Sequence, residues 1–304
     1  MPELPDILLY LRALEPRVLG QPLLHVRVRG PALLRTATPP LQAVEGRGVT
    51  SLERLGKRIV VGLEGEYFLV VHLMIAGRLH WRPPNAPLRG RQELAAFDFP
   101  EGTLLLTEAG SRHRAALHVV RGRADLAAHD PGGMDVLTAT PEAFAAALRR
   151  ESHTLKRALT DPRIFDGIGN AYSDEILHAA RLSPLRLTTQ VTEAEVARLY
   201  EAARRTLAEW IALLAAQTRD EFPGHVTAFR PEMAVHGRYR KPCPVCGAAV
   251  QRIRYASNEV NYCARCQTEG RVLADRSMSR LLREDWPRSL DEWEERLGGS
   301  GADR

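Results

Sequence analysis

The pattern of hydrophobic and polar residues changes twice along the chain. After Pro5, the stretch DILLYLRALEPRVLG has apolar residues at helical spacing and predicts one amphipathic helix that ends near Gly20. From His25 to about Val120, short apolar runs such as KRIVVGLEG are separated by Gly, Pro and acidic residues, as in the strands of a sandwich or barrel. Beyond the turn-rich segment HDPGGMDVL helical patterns dominate, so a domain boundary is predicted there.

The second half of the chain predicts several helices and a small terminal module. Helical patterns occur in PEAFAAALRRES, LKRALTDPRIF and GIGNAYSDEILHAARLSP. A long helix is expected to begin at Thr192, because Thr192 and Glu195 have the spacing of a capping box. Its apolar stripe predicts core packing rather than a cofactor site, and comprises Leu199, Leu207, Ile211 and Leu214.

Composition and charge narrow the class of protein. The chain has 304 residues, 44% of them hydrophobic and 26% charged, which is ordinary for a globular protein of several domains. Its most apolar run, YFLVVHLMIAG, is short and contains His72, which argues against a membrane span. The N-terminus has no basic-then-apolar leader, so we expect a cytoplasmic protein. The net charge of +5 fits equally well a polyanionic partner and an ordinary solvated surface.

Four cysteines near the C-terminus have the spacing of a zinc ribbon. They form two C-x-x-C pairs, CPVC and CARC, at Cys243, Cys246, Cys263 and Cys266. The alternative, two disulfides, needs an oxidising compartment. Four protein ligands leave no open coordination position, so the sequence predicts one structural Zn²⁺.

A short glycine-rich segment precedes one of the predicted helices. The segment is Gly167-Ile168-Gly169-Asn170. Its two glycines would let the backbone approach an anion closely. Asn170 is able to cap the next helix or to donate its amide. The segment is therefore either a phosphate cradle or a tight turn between helices.

The ordered set of motifs resembles one family of DNA repair enzymes. It comprises PELPD at the N-terminus, Gly56-Lys57, HLMIAGRL, GIGNAYSDEIL, VHGR and the four cysteines. Together they resemble the formamidopyrimidine-DNA glycosylase and endonuclease VIII family over roughly residues 2 to 272.

The resemblance implies an α+β protein of several domains. These are an N-terminal helix plus β-sandwich in residues 1–130, a helix-two-turns-helix domain in 138–222 and a zinc finger in 236–272. The extension 273–304 lies outside the resemblance. The implied activity is that of a monomeric, nucleoid-associated glycosylase and abasic-site lyase, which excises oxidised or ring-opened bases from damaged double-stranded DNA.

The resemblance also implies the roles of individual residues. Removal of Met1 would leave Pro2 as a terminal secondary amine, the nucleophile of the family, with Glu3 as general acid. A terminal amine has a pKa of about 8 and a lysine side chain a pKa of about 10.4, so a far larger fraction of the terminal amine is free base at neutral pH. Considered without the other motifs, Pro2 would be interpreted as an exposed chain terminus that precedes a helix. Further implied catalytic positions are Lys57 and Asp6, and implied DNA contacts are His72, Lys156, Gly169, Asn170 and Arg238.

Two loops depart from the family pattern. In HLMIAG, Met74 or Ile75 is expected to fill the void left by an everted nucleotide. In TEAGSRHRA, Arg112 or one of the two residues after it is expected to face the orphaned base, and no aromatic residue occupies the place of the phenylalanine of the family. Asn258 stands where the family has a ribbon arginine. The resemblance therefore supports the first elimination of a strand phosphate more strongly than the second (δ) elimination. A non-catalytic sensor of damaged DNA and an enzyme for bulky or crosslinked adducts stay as alternatives.

Overall fold

The computed structural model describes most of the chain. Described are residues 1–30, 32–110, 112–219, 221–224, 226–255, 258–273, 289, 290 and 292. Most of the predicted C-terminal extension therefore lies outside the described residues.

The chain divides into two compact units, each built from two segments. Unit 1 consists of Met1–Gly133 and Glu209–Ala228, and unit 2 of Met134–Ala208 and Phe229–Arg304. The division after Gly133 falls within HDPGGMDVL. The connector is the segment of residues 218–241 between the long helix and the zinc ribbon. The end of the long helix and the first part of the connector belong to unit 1, an assignment that sequence periodicity did not suggest. The domain boundaries drawn from the sequence stay a prediction.

Unit 1 contains an N-terminal helix and two antiparallel sheets. The helix is α1, Leu4–Val18. The strands are β1 Pro22–Leu23, β2 His25–Val28, β3 Arg47–Leu55, β4 Arg58–Leu63, β5 Tyr67–His72, β6 Gly77–Arg82, β7 Glu93–Phe99, β8 Gly102–Glu108 and β9 Ala116–Arg121. One sheet has the order β1-β3-β4-β5-β9 and the other β2-β7-β8-β6. A short helix, α2, follows at Arg123–Ala127.

The core of unit 1 lies where α1 and the inward faces of the strands meet. Ile7, Tyr10, Leu14 and Val18 recur every three or four residues, and all are at most 1% exposed. They pack in one cluster with residues of both sheets, including Leu117. Removal of this apolar surface from water is the main stabilising term for such a layered arrangement. The predicted helix-plus-sandwich architecture is confirmed.

Unit 2 combines helices with a small hairpin. Its elements are α3 Pro141–Arg149, α4 Leu155–Thr160, α5 Asn170–Ala179, the first part of α6 Glu193–Thr218, β10 Gln251–Arg254, β11 Glu259–Tyr262 and α7 Ala264–Gln267. The capping box at the start of α6 is confirmed, because the Thr192 N–H donates to Glu195 and the Glu195 N–H to the Thr192 hydroxyl. No helix in the described part of the chain is long and apolar enough to cross a membrane.

Candidate active site and DNA-binding residues

The N-terminus of α1 buries both residues that the sequence places at the centre of the chemistry. Pro2 is buried, and Glu3 is 2% exposed and forms the N-cap of the helix. Asp6 Oδ2 accepts a hydrogen bond from the Glu3 N–H at 3.0 Å, and the Glu3 carboxylate accepts from the Asp6 N–H. Asp6 thus completes a capping box that fixes the backbone of Glu3.

Burial and neighbouring charges act on the terminal amine. Burial lowers the pKa of the Met1 amine, Glu3 and Asp6 raise it, and the cations Arg78 and Lys57 lower it further. Lys57 lies in the turn between β3 and β4. The net lowering of this pKa increases the fraction of free amine at neutral pH.

His72 is a neutral group in this environment. It ends β5, opposite Arg58 of β4. Burial lowers its pKa to about 4, and the positive charges of Arg58 and Lys57 and the neighbouring His118 act in the same direction. At neutral pH, His72 is therefore uncharged. Its contact with a DNA backbone stays a prediction.

The loop between β5 and β6 presents the two predicted void-filling residues differently. Ile75 is 57% exposed, whereas Met74 is half-buried and has a φ of 53°. The Gly77 N–H donates to the Leu73 carbonyl at 2.9 Å and closes the loop. A Cβ on Gly77 would lie 2.2 Å from that carbonyl oxygen, so this position needs glycine. Ile75 is thus the more exposed of the two, and void filling by either residue stays a prediction.

Arg78 connects this loop with the connector that follows α6. Its guanidinium donates to the carbonyls of Ile75 and Gly77, at 3.3 and 2.6 Å, and also to the Val226 carbonyl. The family motif contains this arginine, but residue spacing offered no reason to assign it a contact.

A buried carboxylate shapes the second loop, Ala109–Arg114. Glu108 is 1% exposed and accepts hydrogen bonds from the N–H groups of Arg114 and Ala115 at 2.8 to 2.9 Å. These bonds tie the N–H groups of Arg114 and Ala115 to the end of β8. Arg112 is exposed, and its DNA contact stays a prediction.

The glycine-rich segment of unit 2 leads directly into α5. Gly169 is the N-cap of α5 and Asn170 is its first residue. The Asn170 side chain does not cap the helix, because the N-cap position is occupied by Gly169. Asn170 Nδ2 instead donates to the Glu259 carbonyl of β11 at 2.9 Å. The capping interpretation was therefore wrong, since the helix begins one residue earlier than a cap by Asn170 requires.

Lys156 is more enclosed than a typical phosphate-binding lysine. It lies on α4 and is 7% exposed. Its Nζ is 2.5 Å from Asp174 Oδ1 and donates to the Asn170 carbonyl at 2.6 Å. The sequence contained Asp174 within GIGNAYSDEIL, but residue spacing alone did not pair it with a lysine on another helix.

Arg238 directs much of its guanidinium to the protein backbone. Its two terminal nitrogens donate to the carbonyls of Pro231 and Pro242, at 3.0 and 3.3 Å. These contacts link the end of the connector to the start of the ribbon, and the DNA contact that was assigned to Arg238 stays a prediction.

The four cysteines meet the requirements of a zinc site. The Sγ atoms of Cys243, Cys246, Cys263 and Cys266 all lie within 4.8 Å of one another. Tetrahedral coordination with Zn–S bonds of about 2.3 Å requires S···S separations of about 3.8 Å, and the observed Cys246–Cys263 and Cys243–Cys266 separations are 3.4 and 3.9 Å. His178 Nε2 lies 3.3 Å from Cys243 Sγ and adds an outer contact from α5. The predicted structural zinc site is confirmed.

Comparison with known proteins agrees with this arrangement. Residues 1–115 match the formamidopyrimidine-DNA glycosylase N-terminal domain, residues 132–221 the H2TH domain of the same glycosylase, and residues 240–268 a zinc finger found in FPG and IleRS. The formamidopyrimidine-DNA glycosylase of Thermus thermophilus is 35% identical over 279 residues, which cover 89% of this chain and 100% of that protein. The chain belongs to the formamidopyrimidine-DNA glycosylase family.

Other family members agree in sequence or in fold. The Moorella thermoacetica glycosylase is 34% identical, over 84% of this chain and 95% of that one. The crystal structure of the MutM (Fpg) protein from Thermus thermophilus has a TM-score of 0.74 and 33% identity, covering 88% of this chain and 98% of that chain. The Lactococcus lactis enzyme bound to DNA with an AP site has a TM-score of 0.76, with 88% and 99% covered, and at 23% identity it shows the fold alone.

Proposed function

We propose that the protein is a bifunctional DNA glycosylase and abasic-site lyase of base excision repair, acting on oxidised or ring-opened bases in duplex DNA. The observation that carries the proposal is the burial of Pro2 and Glu3 at the start of α1, where the Glu3 N–H donates to the Asp6 carboxylate. The name of the Thermus thermophilus relative, 35% identical to this chain, supports the glycosylase activity.

The chemistry begins once Met1 has been removed. The lone pair of the Pro2 nitrogen attacks C1′ of the damaged nucleotide, and the glycosidic electron pair leaves with the base, which takes up a proton. The Pro2 nitrogen loses its proton, and Glu3 protonates the ring oxygen as the sugar opens to an iminium ion. The positive charge of the iminium acidifies the C2′ proton, whose removal expels the 3′ phosphate. Hydrolysis of the remaining iminium returns the free amine.

Further residues would hold the DNA during these steps. Lys57, Lys156 and Asn170 are proposed phosphate contacts, and His72 a neutral backbone contact. Ile75 would fill the void left by the everted nucleotide, because it is the exposed residue of its loop. Phosphate contacts of this kind give affinity that falls with salt and does not depend on sequence. We further propose that the enzyme acts as a monomer on the nucleoid in the cytoplasm.

Borohydride trapping tests this function directly. The protein is incubated with separate duplexes that contain 8-oxoguanine, formamidopyrimidine, thymine glycol, a bulky adduct or an abasic site, and the adduct is mapped by peptide mass spectrometry. We expect a covalent adduct on Pro2, weakened in Pro2→Gly and abolished by an N-terminal extension. Tight binding to abasic DNA without any adduct would instead favour a non-catalytic damage sensor. Cleavage of the bulky adduct alone would favour the specialised enzyme.

A further inference from the structure

A single carboxylate in unit 2 collects hydrogen bonds from three directions. Asp174 is 1% exposed. Its Oδ1 is 2.5 Å from Lys156 Nζ, and its Oδ2 lies 2.8 Å from His236 Nδ1 and accepts the Asn261 N–H at 3.1 Å. The carboxylate therefore joins α4, α5, the connector and the ribbon hairpin at one point.

Contacts with groups other than Asp174 also hold the backbone and the ring of His236 in place. The neighbouring carboxylate of Glu175 accepts the backbone N–H groups of Ala234, Val235 and His236 at 2.7 to 2.9 Å. The ring of Phe229 lies over the imidazole, with centroids 5.6 Å apart and planes 18° apart. The ring of His236 is thereby held with Nδ1 directed at Asp174.

The contact between His236 and Asp174 affects the ammonium group of Lys156, which is hydrogen-bonded to the same carboxylate. An ammonium group has three N–H donors, and at Lys156 two of them are directed to Asp174 and the Asn170 carbonyl. The orientation of the Asp174 carboxylate therefore decides where the third N–H points. Donation from His236 and from the Asn261 N–H also spreads the demand on Asp174, so that the carboxylate competes less with an incoming phosphate.

We propose that His236 is a positioning residue for the phosphate contact of Lys156, acting through Asp174. The inference rests on the proposed function, because it assigns His236 to the phosphate site of that same activity. His236 itself would contact neither DNA nor the reacting atoms. Its Nδ1 contact is what matters, rather than the size or charge of its ring.

Two amide variants separate the Nδ1 contact from the bulk of the side chain. The Asn amide nitrogen occupies the position of His Nδ1, whereas the Gln amide nitrogen occupies that of Nε2. His236→Asn and His236→Gln are compared with wild type for binding to a duplex with a tetrahydrofuran abasic-site analogue, over a series of salt concentrations. Lys156→Met is the reference for a lost phosphate contact, and His25→Gln is the control, because the His25 side chain is 69% exposed on β2.

The expected readout is the slope of log binding constant against log salt concentration. Loss of one phosphate contact reduces its magnitude by about 0.9. We expect that reduction in Lys156→Met and His236→Gln, little change in His236→Asn and His25→Gln, and no further change when His236→Gln is added to Lys156→Met. Stoichiometric zinc in every variant would establish that the ribbon is intact.

Three outcomes would overturn the proposal. One is a wild-type slope in His236→Gln while Lys156→Met is reduced. The second is equal behaviour of the Asn and Gln variants. The third is loss of zinc from His236→Gln, which would make the residue a support of the ribbon. The proposed function fails separately, through the absence of a borohydride adduct on wild-type protein.

Discussion

The depressed pKa of His72 predicts a pH-dependent contribution to the stability of unit 1. Burial and the charges of Arg58 and Lys57 lower the pKa from 6.5 to about 4 in the folded protein. The unfolded chain therefore binds more protons between these two values. The stabilisation associated with neutral His72 is fully present above about pH 6.5 and is lost as the pH falls toward 4. Because a tenfold change in proton affinity corresponds to about 1.36 kcal/mol, the loss is at most about 3 kcal/mol.

The perturbation is His72→Asn, which removes the titrating ring and keeps a hydrogen-bonding side chain. The free energy of unfolding of wild type and variant is measured by denaturant titration at several values between about pH 4 and pH 7. The difference between the two proteins cancels groups that titrate in both. We expect wild type to lose up to about 3 kcal/mol relative to the variant as the pH falls. A constant difference across this range, or an NMR titration of the His72 ring near its ordinary pKa, would refute the reasoning.

Three other perturbations probe the loops and the metal site. Gly77→Ala places a Cβ 2.2 Å from the Leu73 carbonyl oxygen. The affinity for abasic DNA should therefore fall at least about tenfold, which corresponds to about 1.4 kcal/mol. Gly30→Ala, whose Cβ would meet no atom within 4 Å, should bind like wild type. Glu108→Ala removes the acceptor of the Arg114 and Ala115 N–H groups and should lower the stability of this region by about 1–3 kcal/mol. The loss is measured as faster hydrogen exchange at Ala115. Unchanged exchange would contradict the role of Glu108 as the acceptor of these bonds. Treatment with a mercurial should release one Zn²⁺ per chain and abolish abasic-DNA binding, and persistence of that binding in the zinc-free protein would count against a structural role for the metal.

Sequence periodicity and spacing predicted much of the fold and part of the site. The amphipathic pattern of α1, the capping box at Thr192 and the two C-x-x-C pairs were all interpreted correctly, because each depends on residues close together in the chain. The position of Glu3 at the N-cap also follows from local sequence, since the proline at the start of the helix leaves little choice of boundary. The resemblance to the family came from the order of such local motifs.

The contacts of Lys156, Asn170 and Asp174 depended on the tertiary structure. The pairing of Lys156 with Asp174, the approach of His236 to the same carboxylate and the use of the Asn170 amide by Glu259 join residues that are between 18 and 89 positions apart. Such partners are chosen by the packing of helices, connector and hairpin, and no periodicity encodes them. The sequence by itself determined which helices and strands form and which cysteines bind zinc, because those follow from spacing and side-chain chemistry. Only the tertiary structure decided which polar groups are satisfied within the protein, because buried donors and acceptors take the partners that the fold brings to them.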